Sequence, residues 1–321
     1  MSFTSSILIT GGTTGLGYET ALSLAKSQPT TQIIIASRSN GSAADTINSL
    51  TSNDPPNVVY LPLDLETHAS TREFVKLYES RSFPPIRALL LNAGIQFVDK
   101  VHFTSDGIET MFAVNHVNQA LLFFLLKKYL TTTARIVIVS SSTHDPAQKR
   151  VVPPNYTTAE AVAHPPSGKP EYETQDEGFR RYALSKLTNV LFAYALTRHV
   201  KENNKAWKVL TLDPGVMPTR LYRWQSGFTG WAFNFVLSTF IGQWLIRDTF
   251  TTAFSAATFA RLAVDEEFEA EDKNGKYFQV VGGKEIASSE QSYEVKLQED
   301  LWDWTVKEVA EGKEVEDFNA L

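Results

Sequence analysis

The stretch "ILITGGTTGLG", residues 7–17, decides how the rest of the chain is read. A short apolar run meets four glycines within seven positions, and an apolar-periodic pattern begins near Tyr18. Strand, glycine turn and helix, in that order, are what a nucleotide pyrophosphate requires. The chain must turn sharply, let the backbone approach the anion closely, and aim a helix N-terminus at it. The spacing is Gly-x-x-x-Gly-x-Gly, with Thr10 before Gly11 and with Gly15 and Gly17 completing the set. The context, directly after a first strand, is what gives a glycine pattern weight.

Working outward, the same alternation continues. "QIIIAS" (32–37), "VVYLPL" (58–63), "ALLLNAG" (88–94), "RIVIVSS" (135–141), "KVLTLDPG" (208–215) and "KYFQVV" (276–281) are short Val/Ile/Leu-rich runs without clean alternation. Strands covered on both faces have that composition. The segments between them are long enough for crossover helices. The clearest spans 106–130, with Asp106 as its expected N-cap. With "ILIT" that makes seven strands, so the expected fold is α/β, a Rossmann-like doubly wound parallel sheet in a single domain covering residues 1–321.

Composition sets limits. The chain has 321 residues, 43% hydrophobic and 21% charged, as in ordinary soluble domains. A net charge of −6 argues against a nucleic-acid partner. There is no cysteine, which excludes disulfides, thiolate metal sites and cysteine nucleophiles. The six histidines are scattered, with no pair at metal-ligand spacing beside carboxylates, so no metal is expected. "MSFTSSILIT" lacks the features of a signal peptide and "EVEDFNAL" lacks a retention signal, so a cytoplasmic location is expected.

"FRRYALSKLTNV" (179–190) puts Tyr182 and Lys186 four residues apart, on one face of an expected helix. The glycine turn, "NAG" at 92–94, Asn115 within "MFAVNH", Ser140 and Ser141 at the end of the fifth strand, this Tyr/Lys pair and "PGVMPT" at 214–219 follow one another in a set order. Together they resemble the short-chain dehydrogenase/reductase family, from residue 6 to about 220 with a last strand near 276–281. "DGIETMFAVNH" and the forty residues between Ser141 and Tyr182 resemble the branch that holds retinol dehydrogenases and protochlorophyllide reductases. The lack of cysteine sets this chain apart from the protochlorophyllide activity.

The resemblance implies a catalytic set of Ser141, Tyr182, Lys186 and Asn115. It also implies that the cofactor lies against Thr10, Gly11, Thr13, Thr14, Gly15, Leu16 and Gly17 in the first turn. Beyond the turn it would meet Ser37 and Arg38, Asp64 and Leu65, Asn92, Ala93 and Gly94, and Pro214, Gly215, Val216 and Thr219, besides Tyr182 and Lys186. Asn92 steadies the sheet, Asp64 meets the adenine, and Thr219 meets the nicotinamide carboxamide. Asn115 holds a water linking Lys186 to solvent. Ser141, rather than Ser140 or Ser142, binds the substrate oxygen.

The chemistry suits these residue types. Hydride transfer to a carbonyl needs a proton donor at the developing alkoxide. A free tyrosine, with a pKa of about 10, is too weak an acid to serve also as an efficient base near neutrality. Lowering it by roughly three units takes about 4 kcal/mol, which a lysine ammonium and a positive nicotinamide ring in a partly desolvated cleft can supply. Enzymes of this fold that use NAD usually end the second strand with an acidic residue for the ribose 2′-hydroxyl. Here Ser37 stands at that position and Arg38 follows, a guanidinium able to grip a 2′-phosphate through paired charge-assisted bonds. NADP(H) is the expected cofactor.

Two stretches interrupt the pattern. Residues 143–178 hold six prolines and read as a long irregular insertion. Residues 224–246 carry no charge but three tryptophans and four phenylalanines, where the family places its substrate lid, about 220–250. Glycines and amides break this run too often for a transmembrane helix. A lid over a bulky lipophilic or aromatic substrate is expected, with interfacial membrane contact and plain core packing as the other readings. A homodimer is common in the family and stays open. So do three other functions: a carbon–carbon double-bond reductase, a non-catalytic NADP-binding regulator, and an epimerase or dehydratase of the extended branch.

Overall fold

A computed structural model describes residues 3–39, 41–217 and 250–321. Thr219 and the expected lid at 224–246 lie outside the described residues.

Eight strands form one sheet in the order β3-β2-β1-β4-β5-β6-β7-β8. They are β1 (Ser5–Thr10), β2 (Thr31–Ser37), β3 (Val58–Pro62), β4 (Ile86–Leu91), β5 (Leu130–Val139), β6 (Lys208–Asp213), β7 (Lys276–Gln279) and β8 (Glu285–Ile286). The first seven pair in parallel, while β8 turns back antiparallel on β7 and adds a strand to the seven expected. Its two residues are too short for a periodic signal.

The apolar runs are continuous because both faces are covered. Ile7, Ile9, Ile33 and Ile35 face one core with helix α1 (Gly15–Ser27). Leu8, Ile34 and Leu89 face the other, and all seven are fully buried. Crossing from β3 back to β4 reverses the winding between β1 and β4. The loops leaving those two strands diverge there, and a crevice opens at their C-terminal ends.

The remaining helices are α2 (Ser42–Thr51), α3 (His68–Glu79), α4 (Thr110–Phe112), α5 (Asn118–Leu126), α6 (Ala159–Ala163), α7 (Gln175–Glu202), α8 (Thr252–Val264), α9 (Val295–Val309) and α10 (Glu314–Asn319). Several boundaries differ from the sequence expectation. Helix α1 begins at Gly15, not near Tyr18, because Gly17 must already be packed in the helix against the turn. The helix expected at 106–130 starts at Thr110, where the Glu109 carboxylate accepts from the Phe112 amide at 2.7 Å. Asp106 instead accepts from the His68 amide at the start of α3. Between α4 and α5 the chain widens into a π-turn at Ala113–Val117. Strand β5 begins at Leu130 and stops at Val139, so Ser140 and Ser141 follow it rather than end it.

Residues 143–178 contain α6 and the first turn of α7 between irregular segments, and they are anchored. Asp300 on α9 accepts from the Tyr156 hydroxyl at 2.7 Å and from the Ala159 amide at 2.8 Å. No helix among the described residues is long and apolar enough to cross a membrane.

Candidate active site

The crevice holds a cavity of about 1210 Å³. At its floor the ends of β1 and β4 are tied together. Thr10 Oγ1 accepts from the amides of Asn92 and Ala93, each at 2.9 Å, and donates to Gln119 Oε1 at 2.8 Å. Asn92 Nδ2 donates to the Thr10 carbonyl at 2.7 Å, and Gln119 Nε2 to the Ala93 carbonyl at 2.8 Å. Thr10 is completely buried by these bonds and stands behind the cavity surface, not on it. Gln119, which sequence reasoning missed, had one signal: an amide inside the apolar run "NQALLFFLL".

The glycine turn explains itself. Gly11 (φ +67°) and Gly15 (φ +56°) occupy left-handed backbone. A Cβ on Gly17 would lie 2.3 Å from the Gly11 carbonyl oxygen, so only glycine lets α1 start this close to the turn. Thr14, the α1 N-cap, makes no side-chain capping bond, and the first helical turn holds no acidic residue. The amides of that terminus therefore face the cavity with their positive end uncompensated by side chains.

Farther along, Thr13 Oγ1 and Ser37 Oγ are 2.7 Å apart, and Ser37 donates to the Ser39 carbonyl. Arg38 sits at the rim, 49% exposed, with Glu66 at 4.0 Å. So loose and solvated a pair holds the guanidinium weakly. Asp64 accepts from the Glu66 amide at 3.0 Å, and Leu65 is buried beside it. All four residues line the cavity together with Gly11, Thr13 to Leu16 and Asn92 to Gly94.

Helix α7 supplies the opposite wall. Its N-cap, Thr174, accepts from the Glu177 amide at 3.3 Å. Tyr182 and Lys186 do share one face: the Lys186 Nζ lies 5.8 Å from the Tyr182 ring centre, and both line the cavity. Lys186 is buried, and its ammonium donates to the Val139 carbonyl at 3.3 Å. Desolvation brings its pKa down from 10.5 to about 8, against the opposing pull of the Asp213 carboxylate.

This shift has a testable sign. Between about pH 8 and 10.5 the unfolded chain holds a proton that the folded chain has released. The contribution of Lys186 to stability therefore rises with pH across that window. In the cofactor-free protein, the Tm of Lys186→Met minus that of wild type is expected to fall as pH rises from 8 to 10.5. A difference that ignores pH would contradict the buried ammonium.

The three serines separate by what they bond. Ser140 is buried and its hydroxyl donates to the Lys186 carbonyl at 2.7 Å, fastening β5 to α7. Ser141 is only partly buried, its Oγ accepting from the Thr143 amide at 3.3 Å. Ser141 is further held through its carbonyl, which takes the His144 Nδ1 proton at 2.6 Å, while His144 Nε2 accepts from the Ser289 amide at 3.1 Å. His144 is thus structural, and so is His116, buried between Phe112 and Phe192.

Asn115 lies in the π-turn behind the cavity surface. Its Oδ1 accepts from the Ile95 amide at 2.7 Å, and its Nδ2 donates to the Ile95 carbonyl at 3.0 Å and to Ser185 Oγ at 2.9 Å. Asp213 was also missed by the sequence reading. It is buried at the end of β6, accepts from the Gly215 amide at 3.1 Å, and so shapes the loop of Pro214, Gly215 and Val216 that lines the cavity. Gln96, Phe97, His102, Phe103, Phe179 and Met217 also line the cavity. Among the described residues no group of three or more His, Asp or Glu could hold a metal ion.

The glycine cradle, the uncompensated α1 terminus and the Lys186 ammonium suit a nicotinamide dinucleotide. A Cβ at Gly94 would come within 3.3 Å of Asn115 Oδ1 and 3.4 Å of Lys186 Nζ, so glycine keeps this passage open.

Known proteins resemble this chain in sequence and fold. The family model described as short chain dehydrogenase matches residues 5–163. Retinol dehydrogenase 13 of Homo sapiens is 33% identical over 309 residues, covering 92% of this chain and 82% of its own length. Polyprenol dehydrogenase of Homo sapiens is 30% identical over 298 residues, with 92% and 82% covered. Among solved structures, a short chain dehydrogenase from Burkholderia cenocepacia in complex with NADP superposes with a TM-score of 0.62 at 20% identity, over 88% of this chain and 98% of that one. Fold, crevice and relatives lead to one conclusion: the chain belongs to the short-chain dehydrogenase/reductase family of oxidoreductases.

Proposed function

We propose that this enzyme uses NADP(H) to interconvert a carbonyl and an alcohol on a bulky lipophilic or aromatic substrate. The observation that carries the reading is one cavity among the described residues whose wall holds the glycine turn, Arg38, Tyr182, Lys186 and Ser141 together with the aromatic side chains Phe97, Phe103 and Phe179. Retinol and polyprenol, in the names of two relatives, are lipophilic alcohols, which supports the substrate class.

When bound, the nicotinamide supplies or accepts the hydride. The protein's share is binding, orientation and proton transfer. The α1 terminus and the glycine turn would hold the pyrophosphate, and Lys186 would donate to the ribose hydroxyls. Tyr182 hands its phenolic proton to the substrate oxygen as negative charge develops there, and the Lys186 ammonium stabilises the phenolate left behind. Ser141 donates a second hydrogen bond to the same oxygen. It is the serine to choose because the Ser140 hydroxyl is already committed to Lys186. Asn115 fixes Ile95 beside the cavity and would hold the water that relays protons to Lys186.

NADP is favoured over NAD by Arg38 and by the absence of a carboxylate at Ser37. The ribose 2′-phosphate would replace Glu66 as the partner of Arg38, giving two charge-assisted bonds in place of one loose pair. Arg38→Asp is expected to weaken NADPH binding by roughly 30- to 150-fold, on the order of 2–3 kcal/mol, while NADH binding changes little. Titration of both cofactors checks this, and an unchanged NADPH/NADH ratio would refute it. The function itself is tested by NADPH oxidation over a panel of aldehydes, ketones, quinones and polycyclic carbonyls. Turnover confined to activated alkenes would move the protein to double-bond reduction.

A further inference from the structure

We propose that Gln96 is a substrate-recognition residue, and that the substrate carries a second hydrogen-bonding oxygen or nitrogen next to the carbonyl that reacts. The proposal rests on the carbonyl–alcohol reading above and adds the polar feature that a purely hydrocarbon substrate would lack.

Gln96 lines the cavity and is only 6% exposed, yet its amide makes no hydrogen bond among the described residues. Its polar atoms are not among the buried ones that lack a partner, so the amide keeps access to the cavity and is available to bond a ligand there. The backbone around it is fixed from several directions. Asn115 clamps both the amide and the carbonyl of Ile95. The Phe97 amide donates to Met111 Sδ at 3.2 Å. Helix α7 presses on Val98 so closely that a Cβ at Gly178 would lie 2.5 Å from the Val98 Cα. The side chain of Gln96 therefore hangs from a rigid strip, two residues beyond Gly94 and its Lys186 neighbour, with its polar end uncommitted.

Phe97, Phe103, Phe179 and Met217 line the same cavity and offer apolar contact, while His102, also on its wall, is engaged with Asp99. The Gln96 amide has two donor protons and one carbonyl acceptor, which suits a hydroxyl, a second carbonyl or an amide on the ligand. In the free enzyme water can satisfy it. A ligand that expels the water and offers nothing in return leaves the amide unpaired, and such a ligand is rejected.

Benzil and deoxybenzoin, which differ by one carbonyl oxygen beside the reacting one, test this. For each, kcat/KM is measured with NADPH, and the Kd for the protein–NADPH complex is measured by calorimetry. The benzil-to-deoxybenzoin ratio is compared between wild type, Gln96→Leu and Gln96→Met, the last keeping the side-chain length should the leucine variant fold poorly. Comparing ratios cancels the intrinsic reactivity of the two ketones. The ratio is expected to fall by roughly 10- to 100-fold in both variants. A ratio that stays put in the binding data, or a complex that takes up neither ketone, would overturn the assignment. The binding arm needs no turnover, so binding that shifts as expected without NADPH oxidation would uphold Gln96 and sink the oxidoreductase reading of the substrate instead.

Discussion

Tyr182→Phe is expected to reduce kcat by roughly 10²- to 10⁴-fold, the range that a positioned proton donor contributes, while the Kd for NADPH stays within a few-fold of wild type. The substitution removes one hydroxyl and leaves the ring, which is 94% buried by its 6% exposure, free to pack as before. On the proposed function, what disappears is the proton delivered to the developing alkoxide. Lys186→Ala should behave differently. In the proposed mechanism that ammonium would both stabilise the phenolate and hold ribose, so kcat and NADPH affinity are expected to fall together. Steady-state kinetics with direct cofactor titration separate the two patterns. A tyrosine variant that kept most of its kcat would show that the proton comes from elsewhere.

Gly17→Ala is expected to abolish measurable cofactor binding and to destabilise the protein by roughly 1–3 kcal/mol, the usual cost of forcing a methyl group into a packed site. The new Cβ would sit 2.3 Å from the Gly11 carbonyl oxygen and 2.8 Å from Asn92 Nδ2. Neither neighbour can step aside cheaply. Gly11 holds a left-handed turn, and Asn92 Nδ2 is bonded to the Thr10 carbonyl. The start of α1 must move, and its amides then no longer converge on a phosphate. Thermal melting reads both effects at once, because a ligand that binds only the folded state raises the Tm. Added NADPH should raise the Tm of wild type and leave that of the variant where it is. A variant still stabilised by NADPH would mean that the turn tolerates the shift.

Much of this site could be read before any coordinates, and the reason is local. The glycine turn, the "NAG" after β4 and the Tyr182/Lys186 spacing are short-range patterns whose meaning depends on backbone geometry a few residues away. The parallel strands were equally legible because burial on both faces leaves long Val/Ile/Leu runs. What stayed hidden depends on distant partners. Asp106 looked like a cap for the helix after it, but its carboxylate serves α3, 38 positions back at His68. The start of β5, "LTTTA", is too polar and exposed to read as a strand, and it joins the sheet through Leu130 alone, paired with Ile86 ahead of a register shift. Gln119 and Asp213 gain their meaning from the turns they tie, and Gln96 from what it fails to bond. None of those contacts has a spacing to look for.

The tautomer of His144 has a consequence for anyone recombining this enzyme with its relatives. Its Nδ1 proton fixes the Ser141 carbonyl, and its Nε2 lone pair is filled by the amide of Ser289, 145 positions downstream. The geometry of the serine is therefore written in two places, one beside β5 and one past the end of the sheet. A chimera that borrowed a C-terminal third from a cousin would inherit intact glycines, tyrosine and lysine. It could still lose the aim of Ser141 for want of a single main-chain N–H. Crossover points in such an exchange belong downstream of the 288–293 turn, so that both halves of that instruction travel together.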